Sequence, residues 1–171
     1  MKNLLAVLCF VLPVLCFSQT PEERLVALKI VLPEAPHPAA NYVNAVRTGN
    51  LLFLAGKGPT HPDGTNITGK VGRDLTIEQG YEAARLVGIN QIAVLKSELG
   101  DLSKVKRIVK VLGMINSSSE FTDHSKVMNG FSDLMVEVFG DKGKHARSSV
   151  GMYSLPFNIA VEVEMVVEVE N

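Results

Sequence analysis

Val161, Val163, Met165, Val167 and Val169 alternate with Glu162, Glu164, Glu168 and Glu170, and only Val166 breaks the pattern. Successive side chains of a strand point to opposite faces, so this run reads as a sheet strand with one covered and one polar face. The rest of the chain must supply both the neighbouring strands and the cover. Residues 76–99 have helical periodicity, with Ala83, Ala84, Val87, Ile92 and Leu95 available to pack, and Gly100 stands where a helix would close. Residues 121–139 predict a second amphipathic helix ended by Gly140. Leu51 to Ala55 is an apolar strand, joined through the turn Thr48-Gly49-Asn50 to an extended run from Asn41 to Val46. Residues 105–115 and 147–152 give two more strands. Gly56 to Asp74 is a loop with one short strand expected near Ile67. The order strand, strand, helix, strand, helix, strand, strand predicts an α+β layer with two long helices on one side of a sheet.

The N-terminus is of a different kind. Lys2 opens an apolar stretch from Leu4 to Phe17 that ends at the small residue Ser18, the order of a secretory signal peptide. Residues 1–18 are therefore expected to be removed, leaving a periplasmic or secreted protein without a membrane anchor. Lipidation of Cys16 is the alternative, disfavoured by Leu15 before it. The stretch is shorter than the ~20 residues a spanning helix needs. Residues 19–37 predict a short helix, capped by Thr20 and running toward Leu32, then a connector stiffened by Pro33 and Pro36. Residues 38–171 form the expected domain. Both cysteines, Cys9 and Cys16, fall in the leader, so the mature chain is expected to hold no disulfide and no thiolate metal site. Loss of Lys2 leaves 16 basic against 18 acidic residues, and no basic run predicts a nucleic-acid-binding face.

Chemistry is sparse. The sequence has no phosphate-binding glycine loop, no dinucleotide fingerprint and no H-E-x-x-H pair. His37, His61, His124 and His145 are scattered and read as solvated surface histidines. Ser148 and Ser149 lack the nucleophile-elbow pattern of a serine hydrolase. The informative stretch is Gly143 to Gly151, in which Arg147 opens a strand of small residues. Its planar fork suits a carboxylate held by two parallel hydrogen bonds. On spacing alone Arg147 serves equally as a rim arginine in a salt bridge, whereas Glu162 reads rather as one of several solvated glutamates and Tyr42 as a half-buried packing tyrosine.

Residues 38–169 resemble the RidA/YjgF family. The resemblance rests on Asn41-Tyr42-Val43, Arg47-Thr48-Gly49-Asn50-Leu51-Leu52-Phe53, Gly56, Pro59 and Gly69-Lys70-Val71-Gly72. It continues through Val105 to Lys110, Phe121, Val138-Phe139-Gly140, His145 to Gly151, Leu155-Pro156 and Val161-Glu162. It implies a chorismate-mutase-like fold assembled as a homotrimer with clefts between subunits. It also implies hydrolysis of 2-imino acids or enamines to 2-keto acids and ammonia, without metal or organic cofactor. In that scheme Arg147 clamps the substrate carboxylate, Glu162 orients or activates water, and Tyr42 comes from the adjacent subunit. Gly56 and Ser149 line the cleft through their backbones, and Asn116 is the candidate for a ligand-binding asparagine. Ala55 and Lys57 stand where the family often has serine and glutamine. Two other functions are carried forward: binding of a small carboxylate without turnover, and endoribonuclease activity, which an acidic chain without a histidine pair makes the weaker.

The valines of residues 161–169 also exceed what a one-sided sheet needs. They fit either a barrel formed where several subunits meet or cover by the chain's own helices.

Overall fold

The computed structural model describes residues 19–36, 38 and 40–170. The expected signal peptide and His37 lie outside the described residues. The elements are α1 (Pro21–Ala27), β1 (Ala45–Thr48), β2 (Leu51–Lys57), α2 (Ile77–Leu99), β3 (Val105–Asn116), α3 (His124–Phe139), β4 (Ala146–Met152) and β5 (Val161–Val169). The strands form one sheet in the order β1-β2-β5-β3-β4. β5 runs antiparallel to both β2 and β3, and β4 lies parallel to β3 at the edge. The two long helices are therefore crossovers, β2-α2-β3 and β3-α3-β4, laid side by side on one face. No described helix is long and apolar enough to cross a membrane.

Local signals set most of the element ends. Thr76 and Gln79 form a reciprocal cap on α2, and Gly100 closes it in the left-handed conformation. Thr20 and Glu23 cap α1 in the same way, but that helix stops at Ala27 rather than continuing toward Leu32. Lys29 turns the chain with φ of 58° there, so Leu28 is left exposed, while Leu32 packs partly buried against the core from beyond the turn. α1 is nonetheless docked, because the Glu22 carboxylate accepts from Lys96 Nζ at 2.8 Å and from Leu102 N at 2.9 Å. In the long loop the short strand expected near Ile67 is replaced by isolated bridges, Thr60 to Asn66 and Thr68 to Ile159.

Val161, Val163, Met165, Val167 and Val169 are buried against α2 and α3, so the chain's own helices account for the alternation. The helices approach each other closely at Gly130, where a Cβ would stand 2.0 Å from the Tyr81 carbonyl oxygen. The opposite face of the sheet is open, and Val46, Phe53 and Val150 are 57%, 45% and 40% exposed on it. Val166, the residue that breaks the alternation, pairs directly with Phe53 on that face. This apolar patch is distinct from the valine stripe, and it is where a second sheet could pack.

Candidate functional site

On β4, Arg147, Ser149 and Gly151 pair with Val111, Gly113 and Ile115 of β3 and share the helix-covered face. Arg147 reaches from this edge strand onto α3. Its guanidinium donates to Ser132 Oγ at 2.8 Å, to Asn129 Oδ1 at 3.2 Å and to the Ser125 carbonyl oxygen at 3.3 Å. Among the described residues no carboxylate lies within salt-bridge distance of it, so it is not a rim arginine in an ion pair. Burial lowers its pKa, and the more distant Asp133 partly offsets this. A partly desolvated guanidinium surrounded by neutral acceptors keeps an unneutralised charge, the condition for binding an anion. Beside it, Ser149 Oγ is buried with no hydrogen-bond partner among the described residues.

Two features of this half are absent from the sequence reading. Ser125, Asn129 and Ser132 recur at helical spacing, a polar stripe on an otherwise amphipathic helix, and that stripe was the available signal. His145 is not a solvated surface histidine. Its Nδ1 contacts the Gly143 carbonyl oxygen at 2.7 Å and its Nε2 contacts Ser132 Oγ at 3.0 Å. The network assigns a neutral tautomer, with Nδ1–H donating to Gly143 and the Ser132 hydroxyl donating to Nε2. Burial lowers the pKa of His145, with Gly143 opposing and Arg147 reinforcing the shift. His124 is also engaged, at 3.2 Å from Ser117 Oγ, whereas His61 is exposed.

The other half is built at the β2–β5 contact. The register shifts between Leu54 and Lys57, and this bulge sets Gly56 under Glu162. A Cβ at position 56 would lie 2.1 Å from Glu162 Oε1. α2 fixes the bulge from behind, since fully buried Gln91 donates to the Ala55 and Val163 carbonyl oxygens at 3.0 and 2.7 Å. Glu162 is partly buried rather than fully solvated. Its pKa is raised, first by burial and then by Glu164, with Lys57 pulling it back.

Within one chain the structure joins Gly56 to Glu162 but leaves the other candidates apart. Glu162 pairs with Met114 and Met114 with Val150, which places Glu162 on the open face, opposite to Arg147. Tyr42 is 51% exposed just before β1. β1 and β4 are opposite edges of five strands, about 19 Å apart at ordinary strand spacing. Asn116 is 1% exposed and committed internally, accepting from Lys70 Nζ at 2.8 Å and donating to Asn158 Oδ1 at 2.9 Å. Both ends of its amide thus anchor loops. A cleft of about 480 Å³ lies next to that network, lined by Lys70, Arg73, Ser117, His124 and Tyr153 among others. Among the described residues no group of three or more His, Cys, Asp or Glu is placed to hold a metal ion.

Comparison with known proteins places these features. The model of the family described as YjgF/chorismate-mutase-like, putative endoribonuclease matches residues 22–169. A Trypanosoma cruzi protein named TCP17 is 45% identical over 149 residues, covering 86% of this chain and 93% of its own length. A 2-iminobutanoate/2-iminopropanoate deaminase from Dermatophagoides farinae is 32% identical over 142 residues, covering 82% of this chain and 95% of its own. The crystal structure of a putative endoribonuclease from Shewanella oneidensis has a TM-score of 0.85 at 36% identity, covering 88% of this chain and all of that one.

Proposed function

The chain belongs to the YjgF/chorismate-mutase-like family, and from that premise we propose that it hydrolyses 2-imino acids to 2-keto acids and ammonia in a cleft between subunits of a homotrimer. The observation that carries the reading is the Arg147 guanidinium, partly desolvated and held by neutral acceptors only. A 2-imino acid presents a planar carboxylate next to an electrophilic carbon, and a bidentate arginine fixes the first while leaving the second open to water. Glu162 takes a proton from that water as oxygen adds to the imine carbon. That proton passes to the nitrogen to give the carbinolamine; Glu162 then takes the hydroxyl proton and delivers it to the amino group as the C–N bond breaks, so that C=O forms and ammonia leaves. Burial that raises the Glu162 pKa brings the carboxylate nearer the range of an efficient base at neutral pH.

The assembly is part of the same proposal, and the placement of the candidate residues supports it. Arg147 and Ser149 lie on one face at one edge, and Gly56 and Glu162 lie on the other face with Tyr42 beyond the far edge. A small substrate can meet both sets only if they come from neighbouring subunits, packed through the apolar open face. A leader over residues 1–18 would carry the trimer out of the cytoplasm, where the ligand is a small carboxylate and neither nucleic acid nor membrane is a partner.

The test is ammonia release from imino acids generated in situ by an amino-acid oxidase. Arg147→Ala should abolish acceleration while leaving the oligomer folded. Full activity in that variant would remove the carboxylate clamp. A folded wild-type trimer that binds small carboxylates without releasing ammonia would replace turnover with binding. RNA cleavage lost on Arg147→Ala would favour the ribonuclease reading instead.

A further inference from the structure

His145 is engaged at both ring nitrogens, and the second engagement leads to Arg147. Nδ1–H donates to the Gly143 carbonyl oxygen at 2.7 Å, which fixes the ring and leaves Nε2 as an acceptor. Ser132 Oγ lies 3.0 Å from that Nε2 and 2.8 Å from Arg147 Nη1. A hydroxyl has one proton and two lone pairs. With the proton given to His145, the lone pairs of Ser132 are left to face the guanidinium. The bond from Arg147 to Ser132 is the shortest of the four that seat the guanidinium on α3, the others being 3.2 to 3.3 Å long. All four use Nη1 or Nη2, and Nε–H meets no acceptor among the described residues. The Ser132 proton also has a competing outlet. Ser132 sits in the middle of α3, where a serine hydroxyl can bond back to the carbonyl oxygen of the preceding turn, here that of Met128. An acceptor at position 145 draws the proton away from the helix and holds Oγ toward β4.

We infer that His145 is a positioning residue for Arg147: Gly143, His145 and Ser132 form a relay that orients the guanidinium for the carboxylate of the substrate. The inference rests on the reading of Arg147 as a carboxylate clamp. His145 does not touch the ligand in this scheme. Its other role is packing, since the ring meets Phe131 edge-on with 6.2 Å between centroids. Packing needs no acceptor at Nε2, whereas the relay does, and that difference separates the two roles.

The test compares wild type with His145→Leu, His145→Asn, His145→Gln, Ser132→Ala and Arg147→Ala. The readouts are KM and kcat for imino-acid hydrolysis, the Kd of 2-oxobutanoate as a non-reactive carboxylate, and a thermal melt. A clamp that grips the carboxylate alike in the ground and transition states shows in KM and Kd rather than in kcat. Both constants should rise about tenfold in His145→Leu and Ser132→Ala, with kcat changed less. His145→Gln puts an amide oxygen near the Nε2 position and should restore most of the affinity. His145→Asn reaches only the Nδ1 position and should not. An unchanged Kd in folded His145→Leu and Ser132→Ala proteins, with binding weakened in Arg147→Ala, would overturn the inference and leave the clamp standing. A Kd that Arg147→Ala leaves unchanged would remove the clamp and the inference together. Weakened binding in the relay variants of a protein that releases no ammonia would keep His145 in its role and reject only the hydrolytic reading.

Discussion

Replacing Gly56 with alanine should remove activity without unfolding the protein. The added Cβ would stand 2.1 Å from Glu162 Oε1, 3.0 Å from Cδ and 3.1 Å from Cγ, so every close contact is with one side chain. Ordinary contact begins at 3.4 Å, and the carboxylate oxygen must withdraw by about 1.3 Å. Glu162 is partly exposed and the clashing atoms are the far end of a flexible side chain, so the withdrawal costs little stability. Gly56 has no positive φ, and alanine there should return about 0.4–1 kcal/mol by restricting the unfolded chain. Catalysis is less forgiving, because a displacement of ~1 Å in a reacting group costs about 100-fold, or about 2.7 kcal/mol of transition-state stabilisation. The assay is kcat/KM for ammonia release beside a thermal melt. Expected are a rate near 1% of wild type and a midpoint within a few degrees of it. Because the damage passes through Glu162, adding Glu162→Gln should cost little more. A fully active Gly56→Ala enzyme, or losses that multiply in the double variant, would refute this account of the bulge.

The composite site predicts complementation. Tyr42→Ala and Arg147→Ala proteins, each inactive alone, should regain about a quarter of wild-type activity when refolded together at equal amounts, since random mixing in a closed ring pairs the two intact halves at that frequency. No recovery in mixed oligomers would place the whole site in one chain. His145 predicts a pH-dependent stability. Its folded pKa lies below 6.5, so as pH falls through 6.5 the unfolded chain takes up a proton before the native one, and stability declines until the folded value is passed. The urea midpoint should therefore drop between neutral and mildly acidic pH, and His145→Gln should flatten that drop. An unchanged slope in the variant would assign the acid sensitivity elsewhere.

Much of the fold was legible because the signals are local. A period of two in Val161 to Val169, a reciprocal cap at Thr76 and Gln79, and Gly100 in the left-handed conformation each act within a few residues. α1 ended early because the turn at Lys29 depends on where the connector must go rather than on the apolar spacing of Leu25, Leu28 and Leu32. Arg147, Glu162, Gly56 and Tyr42 were nameable one at a time, and their grouping came from the family resemblance alone, not from spacing. His145 and Ser132 were missed because their partnership crosses from the loop before β4 to α3. The internal hydrogen bonds of Asn116 were not legible because its partners Lys70 and Asn158 are 46 and 42 residues away.

The sequence alone determined which stretches are strands and helices, which faces are apolar, and that one arginine and one glutamate stand out. Only the tertiary structure decided that Arg147 and Glu162 look out from opposite faces of the sheet, that the bulge after Leu54 seats Glu162 on Gly56, and that Lys57 is buried beside it. Alternation fixes the relative facing of residues within a strand. The facing of residues on different strands depends on register, and hydrogen bonds between segments far apart in the chain set that.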